Sequence, residues 1–280
     1  MTQGPQITVG GATRLVPVIG HPIVQARSPA LFSALAAQEN CDTLFVPMDI
    51  PPGGFSSAMR GFREIANLAG LVVTVPHKPA VLDFVDEASE AARLVGAANL
   101  VRIGPDGRWS ADIKDGDGLV YGLRKAGVDP HGRSVQIVGS GGAGSAVAFA
   151  LAQAGAGPIR LADAITAKAE LLADRLARAL PHGRFNVGLD LSGADIVVNA
   201  SPVGMNGIGG TPFDPSLLRR DQVLAEMIMS PLETPLLAAA RARGCKTLAG
   251  IETLNGQARA VMAFLGLSKG RTDHPSPSNP

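Results

Sequence analysis

The sequence predicts an α/β protein made of two successive α/β domains. Short apolar runs, which are typical of buried strands, alternate with helical stretches along most of the chain. One apolar run in the second half leads directly into a glycine-rich turn at residues 139–144. Strands separated by helices favour a sheet rich in parallel pairs. The 280 residues suffice for one large or two medium domains.

The first half contains four predicted strands and the helices that connect them. Ser28 followed by Pro29 predicts a helix start, with Ser28 as the N-cap and Pro29 in the first turn. A second helix is expected near residues 54–66, and a third over residues 117–126. The predicted strands are residues 15–20, 43–48, 69–75 and 99–103.

The second half continues the alternation of strand and helix. After the glycine-rich turn, the predicted helices are residues 145–154, 166–180, 234–243 and 253–265, and the predicted strands are residues 158–162, 195–199, 222–226 and 245–248. Residues 268–280 are rich in Pro and Ser, and we expect this tail to be disordered.

The glycine-rich turn carries the spacing of a dinucleotide-binding fingerprint and joins a strand to a helix. Gly139 permits the tight turn, Gly141 lets the backbone approach a pyrophosphate, and Gly144 lets the helix pack closely on the strand. The helix N-terminus then presents amide N–H groups to the anion. A glycine-rich loop without a ligand is the alternative. The predicted cofactor contacts here are Gly139, Ser140, Gly141, Gly142, Ala143 and Gly144.

Asp163, at the end of the next strand, indicates which dinucleotide is bound. It lies about 20 residues after the turn, where a carboxylate accepts hydrogen bonds from the adenosine ribose. A carboxylate there would repel the 2′-phosphate of NADP, and no cation follows before Lys168. The sequence therefore favours NAD, with NADP the less favoured cofactor. Alternatively, Asp163 is a solvated turn residue or a helix cap, and Lys168 lies near the phosphate.

Composition argues against several other classes of protein. The formal net charge is +1, which does not favour nucleic acid or an anionic membrane as partner. No long uncharged apolar segment and no secretory signal is evident, so a cytoplasmic location is expected. Cys41 and Cys245 fit no metal-binding spacing, so we expect reduced cysteines and no metal site.

Two local groups of residues in the first half could carry chemistry. One is a buried strand, residues 72–75, that delivers Lys78 just after a proline. The other is an acidic, glycine-punctuated turn at residues 111–118. Functional groups often lie on loops at strand ends in α/β sheets. Taken alone, however, each group also fits an ordinary surface lysine or an ordinary turn.

The order of motifs along the chain carries a more specific indication. In sequence order they are Gly20–Pro22 with Ser28 and Pro29, Val73–Lys78, Gly96–Asn99, Asp115 and Gly116, the turn at 139–144, Asn199–Met205, Pro231–Leu236, and Gly250 with Gln257. Over about residues 18–266, this series resembles the shikimate dehydrogenase family.

The resemblance implies two domains that face a cleft, with reversible NAD(P)-dependent hydride transfer to and from a cyclic hydroxy acid. It assigns residues 1–116 to substrate binding, with 245–267 returning to that domain, and residues 117–244 to a Rossmann domain. Lys78 matches the family's catalytic lysine and Asp115 matches the acid paired with it. A free lysine is protonated at neutral pH, so it can stabilise an alkoxide and donate its proton. Further cofactor contacts are expected from Asn199, Ser201, Met205 and Gly250.

Several positions depart from the family pattern. Ala26 replaces a serine and Val72 replaces an asparagine, which removes groups that contact the substrate. Leu100 replaces a threonine, and Met229 replaces a tyrosine. A pocket that loses hydrogen-bonding partners loses selectivity for a hydroxylated ligand. The predicted polar contacts that remain are Ser28, Thr74, Asn99 and Gln257.

Lys114 stands where the family has a different residue, in the acidic turn. It is a predicted substrate contact, able to bind a carboxylate, but it could equally point into solvent. The leading hypothesis is an NAD-preferring oxidoreductase acting on shikimate poorly, or on a quinate-like, aminoshikimate-like or otherwise modified hydroxy acid. The alternatives are an NAD-binding sensor without turnover, and an ordinary biosynthetic shikimate dehydrogenase using NADP. The expected partner is a small-molecule substrate, and the sequence leaves monomer and homodimer open.

Overall fold

The computed structural model describes residues 9–205 and 207–267, and these form two six-stranded sheets. In the first sheet the strand order is β2-β1-β3-β5-β6-β4. Strand β1 pairs in parallel with β2 and β3, whereas β5 runs antiparallel to both β3 and β6. The strands are β1 (Arg14–Gly20), β2 (Thr43–Asp49), β3 (Gly70–Val73), β4 (Glu87–Ala88), β5 (Leu100–Ile103) and β6 (Trp109–Asp112). This sheet is therefore mixed, and β4 and β6 are additions to the predicted strands.

Four helices accompany the first sheet. They are α1 (Ser28–Gln38), α2 (Phe55–Phe62), α3 (Glu90–Val95) and α4 (Asp115–Lys125). The predicted N-cap of α1 is wrong by one position: Arg27 is the N-cap, its side chain makes no capping bond, and Ser28 is the first helical residue. The short helix α3, which was not predicted, has Ser89 as its N-cap, and the Ser89 hydroxyl accepts a hydrogen bond from the amide of Ala92.

The second sheet has the strand order β12-β11-β10-β7-β8-β9, and all of its pairs are parallel. This is the doubly wound order of dinucleotide-binding domains, and it confirms the predicted α/β class with a Rossmann sheet. The strands are β7 (Val135–Val138), β8 (Ile159–Ala162), β9 (Phe185–Val187), β10 (Ile196–Asn199), β11 (Val223–Glu226) and β12 (Lys246–Leu248). Its helices are α5 (Gly142–Gln153), α6 (Thr166–Ala179) and α7 (Pro235–Ala242).

The last helix, α8 (Gly250–Phe264), packs against α4 and α1, which belong to the first half of the chain. Strand β12, which was grouped with this returning segment, instead pairs with β11 in the second sheet. Helices α4 and α8 approach closely because glycines meet at their crossing. A Cβ on Gly118 would lie only 2.5 Å from the carbonyl oxygen of Thr253.

Strand order places the functional edge of the second sheet between β7 and β10. The strand order reverses at this point, and ligands of open α/β sheets bind beyond the carboxyl ends of the strands there.

Within the described residues, no helix has the length and apolar character required to cross a bilayer. The same part of the chain brings no metal-binding group of His, Cys, Asp or Glu together, and Cys41 and Cys245 are free thiols. The predicted disordered tail lies outside the described residues.

Candidate active site

A cavity of about 450 Å³ lies between the two sheets. Its wall combines strand ends and loops of the first sheet, the glycine-rich turn, the loop after β10, the segment after β11, and helix α8. The predicted site residues that line it are Ser28, Thr74, Lys78, Asn99, Asp115, Gly141, Gly142, Ala143, Ser201, Met205, Gly250 and Gln257. The fold thus brings to one cavity residues that are far apart in the sequence.

Lys78 and Asp115 form an ion pair that faces this cavity. The distance from Lys78 Nζ to Asp115 Oδ2 is 2.5 Å, and the two side chains are only 13% and 11% exposed. Asp115 is the first residue of α4, where the helix dipole favours a carboxylate. The backbone of Lys78 is fixed by a separate hydrogen bond, which its carbonyl oxygen accepts from the amide of Ala98 at 2.8 Å.

Two amide side chains extend the pair into a network. Asn99 Nδ2 donates to Asp115 Oδ1 at 3.2 Å and also lies 3.4 Å from Gln257 Oε1. The carbonyl oxygen of the Asn99 side chain accepts from the backbone amide of Lys114 at 2.9 Å, which fixes the orientation of the amide. The segment after β3, the residue just before β5, and helices α4 and α8 are therefore connected around a single ion pair.

Lys114, a predicted substrate contact with a solvent-facing alternative, does not line the large cavity. Its ammonium lies 2.7 Å from Asp112 and 3.1 Å from Asp117, outside the site. Burial lowers the pKa of Lys114, but the carboxylates of Asp117 and Asp112 outweigh this effect and raise the pKa above its ordinary value. Two acidic neighbours thus hold the side chain away from the cavity, and only its backbone amide serves the network.

Arg27 and Ser28 lie at the start of α1, where they form part of the cavity wall. Arg27 is exposed and supplies a guanidinium at this end of the site. His77, in contrast, is buried outside the cavity, stacked on Phe55, with its Nε2 2.6 Å from the carbonyl oxygen of Ile50. The cation available at this end of the cavity is therefore Arg27.

The glycine-rich turn has the geometry that its three spaced glycines predict. Gly139 has a φ of 106°, and a Cβ there would lie 2.6 Å from the carbonyl carbon of Ala200. At Gly144 a Cβ would overlap the carbonyl oxygen of Gly139, so helix and strand require a glycine there. A Cβ on Gly141 would meet nothing within 4 Å, and Gly141 is the N-cap of α5. The turn thus leaves open space at a helix N-terminus, which suits a pyrophosphate group.

Asp163 lies next to this turn and braces it. Its Oδ2 accepts from the backbone amide of Ser140 at 2.7 Å, and its Oδ1 accepts from the amide of Ile165 at 3.0 Å. These bonds match the alternative interpretation of Asp163 as a turn residue. Each carboxylate oxygen can accept one more hydrogen bond, so Asp163 is also able to accept a hydrogen bond from a ribose hydroxyl.

Asn199, a predicted cofactor contact, is fully buried and does not line the cavity. Its Oδ1 accepts from the amide and the hydroxyl of Ser201, at 3.0 and 2.7 Å. Its Nδ2 donates to the carbonyl of Val203 at 3.2 Å and to Glu226 Oε1 at 2.6 Å. Asn199 therefore shapes the loop that carries Ser201 and Met205 into the cavity.

Sequence reasoning missed Glu226, the last residue of β11. It is completely buried, and burial raises the pKa of its carboxyl, against smaller opposing effects of hydrogen bonds from Thr234 and Asn199. An acidic residue at the end of an otherwise apolar strand was the available signal. Missed as well were apolar cavity residues on α1 and α8, namely Phe32, Leu254 and Val261.

A doubly wound sheet, an open glycine turn and a lysine–aspartate pair in the adjoining cavity define a dinucleotide-dependent oxidoreductase with two α/β units. Residues 18–101 match the family model described as the shikimate dehydrogenase substrate binding domain. The chain is 35% identical over 266 residues to a shikimate dehydrogenase (NADP(+)) of Moorella thermoacetica, covering 92% of this chain and 90% of the relative. The chain belongs to the shikimate dehydrogenase family, and it is an oxidoreductase of the shikimate/quinate type that uses a nicotinamide dinucleotide.

Two solved structures are similar over nearly the whole chain. One is a quinate dehydrogenase from Corynebacterium glutamicum in complex with NAD, with a TM-score of 0.80, 32% identity, and coverage of 90% of this chain and 93% of that one. The other is a ligand-free 5-ketofructose reductase of Gluconobacter sp. strain CHM43, with a TM-score of 0.81, 30% identity, and coverage of 91% and 94%. Similar chains are thus named for more than one substrate.

Proposed function

We propose that this protein catalyses the reversible oxidation of a ring carbinol in a cyclic hydroxy acid, with NAD as its preferred cofactor and Lys78 and Asp115 as its catalytic residues. The observation that carries the proposal is the 2.5 Å ion pair in the wall of the cavity that the glycine-rich turn also lines. Shikimate, quinate and related modified acids are the substrate candidates.

The ion pair suits proton transfer at the substrate oxygen. A bound nicotinamide dinucleotide would supply the two-electron acceptor: the carbinol carbon gives up its hydrogen with both electrons, the hydroxyl gives its proton to Lys78 in its neutral amine form, and a ketone remains. In the reverse direction, the ammonium of Lys78 stabilises the alkoxide as it forms and donates a proton to it. Asp115 holds the ammonium in place, and Asn99 holds Asp115 through its second oxygen at 3.2 Å.

The rest of the wall provides for binding. Thr74, Asn99 and Gln257 offer hydrogen bonds close to the ion pair, while Arg27 and Ser28 offer a guanidinium and a hydroxyl for the carboxylate of the acid. These side chains reach the cavity from four separate parts of the chain: the start of α1, the segment after β3, the residue before β5, and α8. Substrate binding would therefore connect helices α1 and α8 with the ends of β3 and β5.

The cofactor would bind across the glycine-rich turn. Gly141, Gly142 and Ala143 line the cavity, and the open space at Gly141 accommodates the approach of a pyrophosphate to the N-terminus of α5. The preference for NAD depends on Asp163, whose negative charge disfavours a 2′-phosphate. Relatives are named for NADP as well as for NAD, so the family alone does not decide between the two cofactors.

The test is a substitution at the proposed proton donor. Lys78→Ala should lower kcat on the best substrate by about 100-fold or more, since a general acid contributes about 10²–10⁴-fold. Lys125→Ala is the matched control, because Lys125 is an exposed lysine at the far end of α4 and should retain the parental rate. Undiminished turnover in Lys78→Ala would refute the assignment. Dinucleotide binding without turnover of any cyclic hydroxy acid would favour a binding protein instead.

A further inference from the structure

One part of the cavity is apolar and closely packed. We define the apolar wall as Phe32, Val72, Leu100, Leu254 and Val261, which line the cavity and are each at most 7% exposed. All five belong to one continuous hydrophobic cluster. Val72 and Leu100 are direct partners across the antiparallel β3–β5 pair, so their side chains lie on the same face of the sheet.

The apolar wall begins beside the proposed reaction centre. Leu100 directly follows Asn99, the amide that is bonded to Asp115. On α8, Leu254 lies three residues before Gln257 and Val261 lies four residues after it, so the three share one helix face. Val261 is therefore about 6 Å from Gln257 along the helix axis. This length is comparable with the width of a six-membered ring.

A polar substituent facing this wall would lose its bonds to water without replacement. Burying an unpaired hydroxyl lowers affinity by about tenfold to a hundredfold. A ring methylene in the same place gains from the burial of apolar surface, by about fourfold. The wall thus discriminates against a ring that carries several hydroxyls and favours one that carries few.

We infer that the substrate is a cyclic hydroxy acid whose reacting carbinol faces Lys78 and Asp115 and whose opposite ring edge carries methylene or alkyl groups instead of hydroxyls. This inference rests on the proposed function and narrows it to a substrate class. Within that class, Val72 is a specificity-determining residue, because its side chain lines the cavity on the same sheet face as Leu100.

The experiment compares the trihydroxy acid shikimate with 3-hydroxycyclohexanecarboxylate, a ring acid with a single hydroxyl, using both of its diastereomers. The kcat/KM for NAD reduction is followed at 340 nm, and binding of each acid in the presence of NADH is measured by calorimetry. We expect the monohydroxy acid to exceed shikimate by about tenfold or more in both measurements. Equal values, or a preference for shikimate, would overturn the inference.

Variants at Val72 locate the cause of the preference. Val72→Asn adds an amide to the wall and should shift the preference toward shikimate by about tenfold, while Val72→Ile keeps the wall apolar and should retain the parental preference. If Val72→Asn does not fold, Val72→Thr adds a hydroxyl with almost the same shape. A preference that does not change in the folded polar variant would refute the role of Val72.

The two proposals fail in different ways. Turnover of shikimate at a rate equal to the monohydroxy acid leaves the proposed oxidoreductase in place and removes the inference about the wall. Absence of turnover with both acids counts against the proposed function, and calorimetry still decides whether the wall prefers the less hydroxylated ring. Failure of both acids to bind would overturn the inference directly.

Discussion

The carboxylate of Asp115 offers a demanding test of the ion pair, because Asp115→Asn preserves the shape of the side chain and removes its charge. The pair is short, at 2.5 Å, and both side chains are almost buried. Removing one partner of a buried pair leaves an uncompensated charge and costs about 3–5 kcal/mol. If most of this free energy raises the activation barrier, because Lys78 is no longer held in place in the transition state, kcat should fall by about 100- to 1000-fold, since 1.36 kcal/mol corresponds to tenfold.

The assay is the initial rate at 340 nm with the best substrate, which separates kcat from KM. Asp117→Asn is the matched control, because this residue lies on the same helix but is 48% exposed and its ion pair with Lys114, at 3.1 Å, faces away from the cavity. Exposed pairs contribute less than about 1 kcal/mol, so the control should stay near the parental kcat. A fall of less than about fivefold in Asp115→Asn, in a protein with parental thermal stability, would contradict the reasoning.

Two further predictions concern the nucleotide side of the molecule. Asp163→Ala should increase NADP use relative to NAD by about tenfold, because it removes a charge that repels the 2′-phosphate; an unchanged ratio of the two kcat/KM values would count against the preference for NAD. Glu226→Gln should make the protein more stable than the parent at alkaline pH, because burial raises the pKa of Glu226. The folded parent retains the Glu226 proton above the ordinary pKa, where the unfolded chain has lost it. The parent therefore loses stability as the pH rises through the folded-state pKa, and the variant does not. Thermal melting at acidic and alkaline pH checks this, with the exposed Glu233→Gln as control; an equal difference from the parent at both pH values would refute it.

Sequence reasoning succeeded where the signal was local. The strand β7, the turn at residues 139–144 and the start of α5 are contiguous, and the three glycines have conformations and clearances that their spacing predicts. Strand β4 was missed because it has only two residues, and β6 was missed because its sequence, Trp-Ser-Ala-Asp, has no continuous apolar run. The antiparallel pairing of β5 depends on contacts between strands, which no local pattern records.

The direction of individual side chains was harder to predict. Lys114 stands in the family motif at a position where the family has another residue, and two acidic neighbours hold its ammonium outside the cavity. Asn199 is part of a family motif, yet the hydrogen bonds of its side-chain amide are made within its own loop and to Glu226. The apolar wall comes from α1, β3, β5 and α8, so its continuity is visible only when these elements are packed together.

We propose that the carbinol of a cyclic hydroxy acid is oxidised in the cavity that holds Lys78 and Asp115, with a nicotinamide dinucleotide as the hydride acceptor. The most direct measurement is the steady-state change in absorbance at 340 nm, with shikimate, quinate and aminoshikimate each offered with NAD and with NADP. We predict turnover with at least one of these acids, faster with NAD than with NADP, and its loss in Lys78→Ala. Silence across the whole panel, in a protein that still binds NAD, would contradict the account.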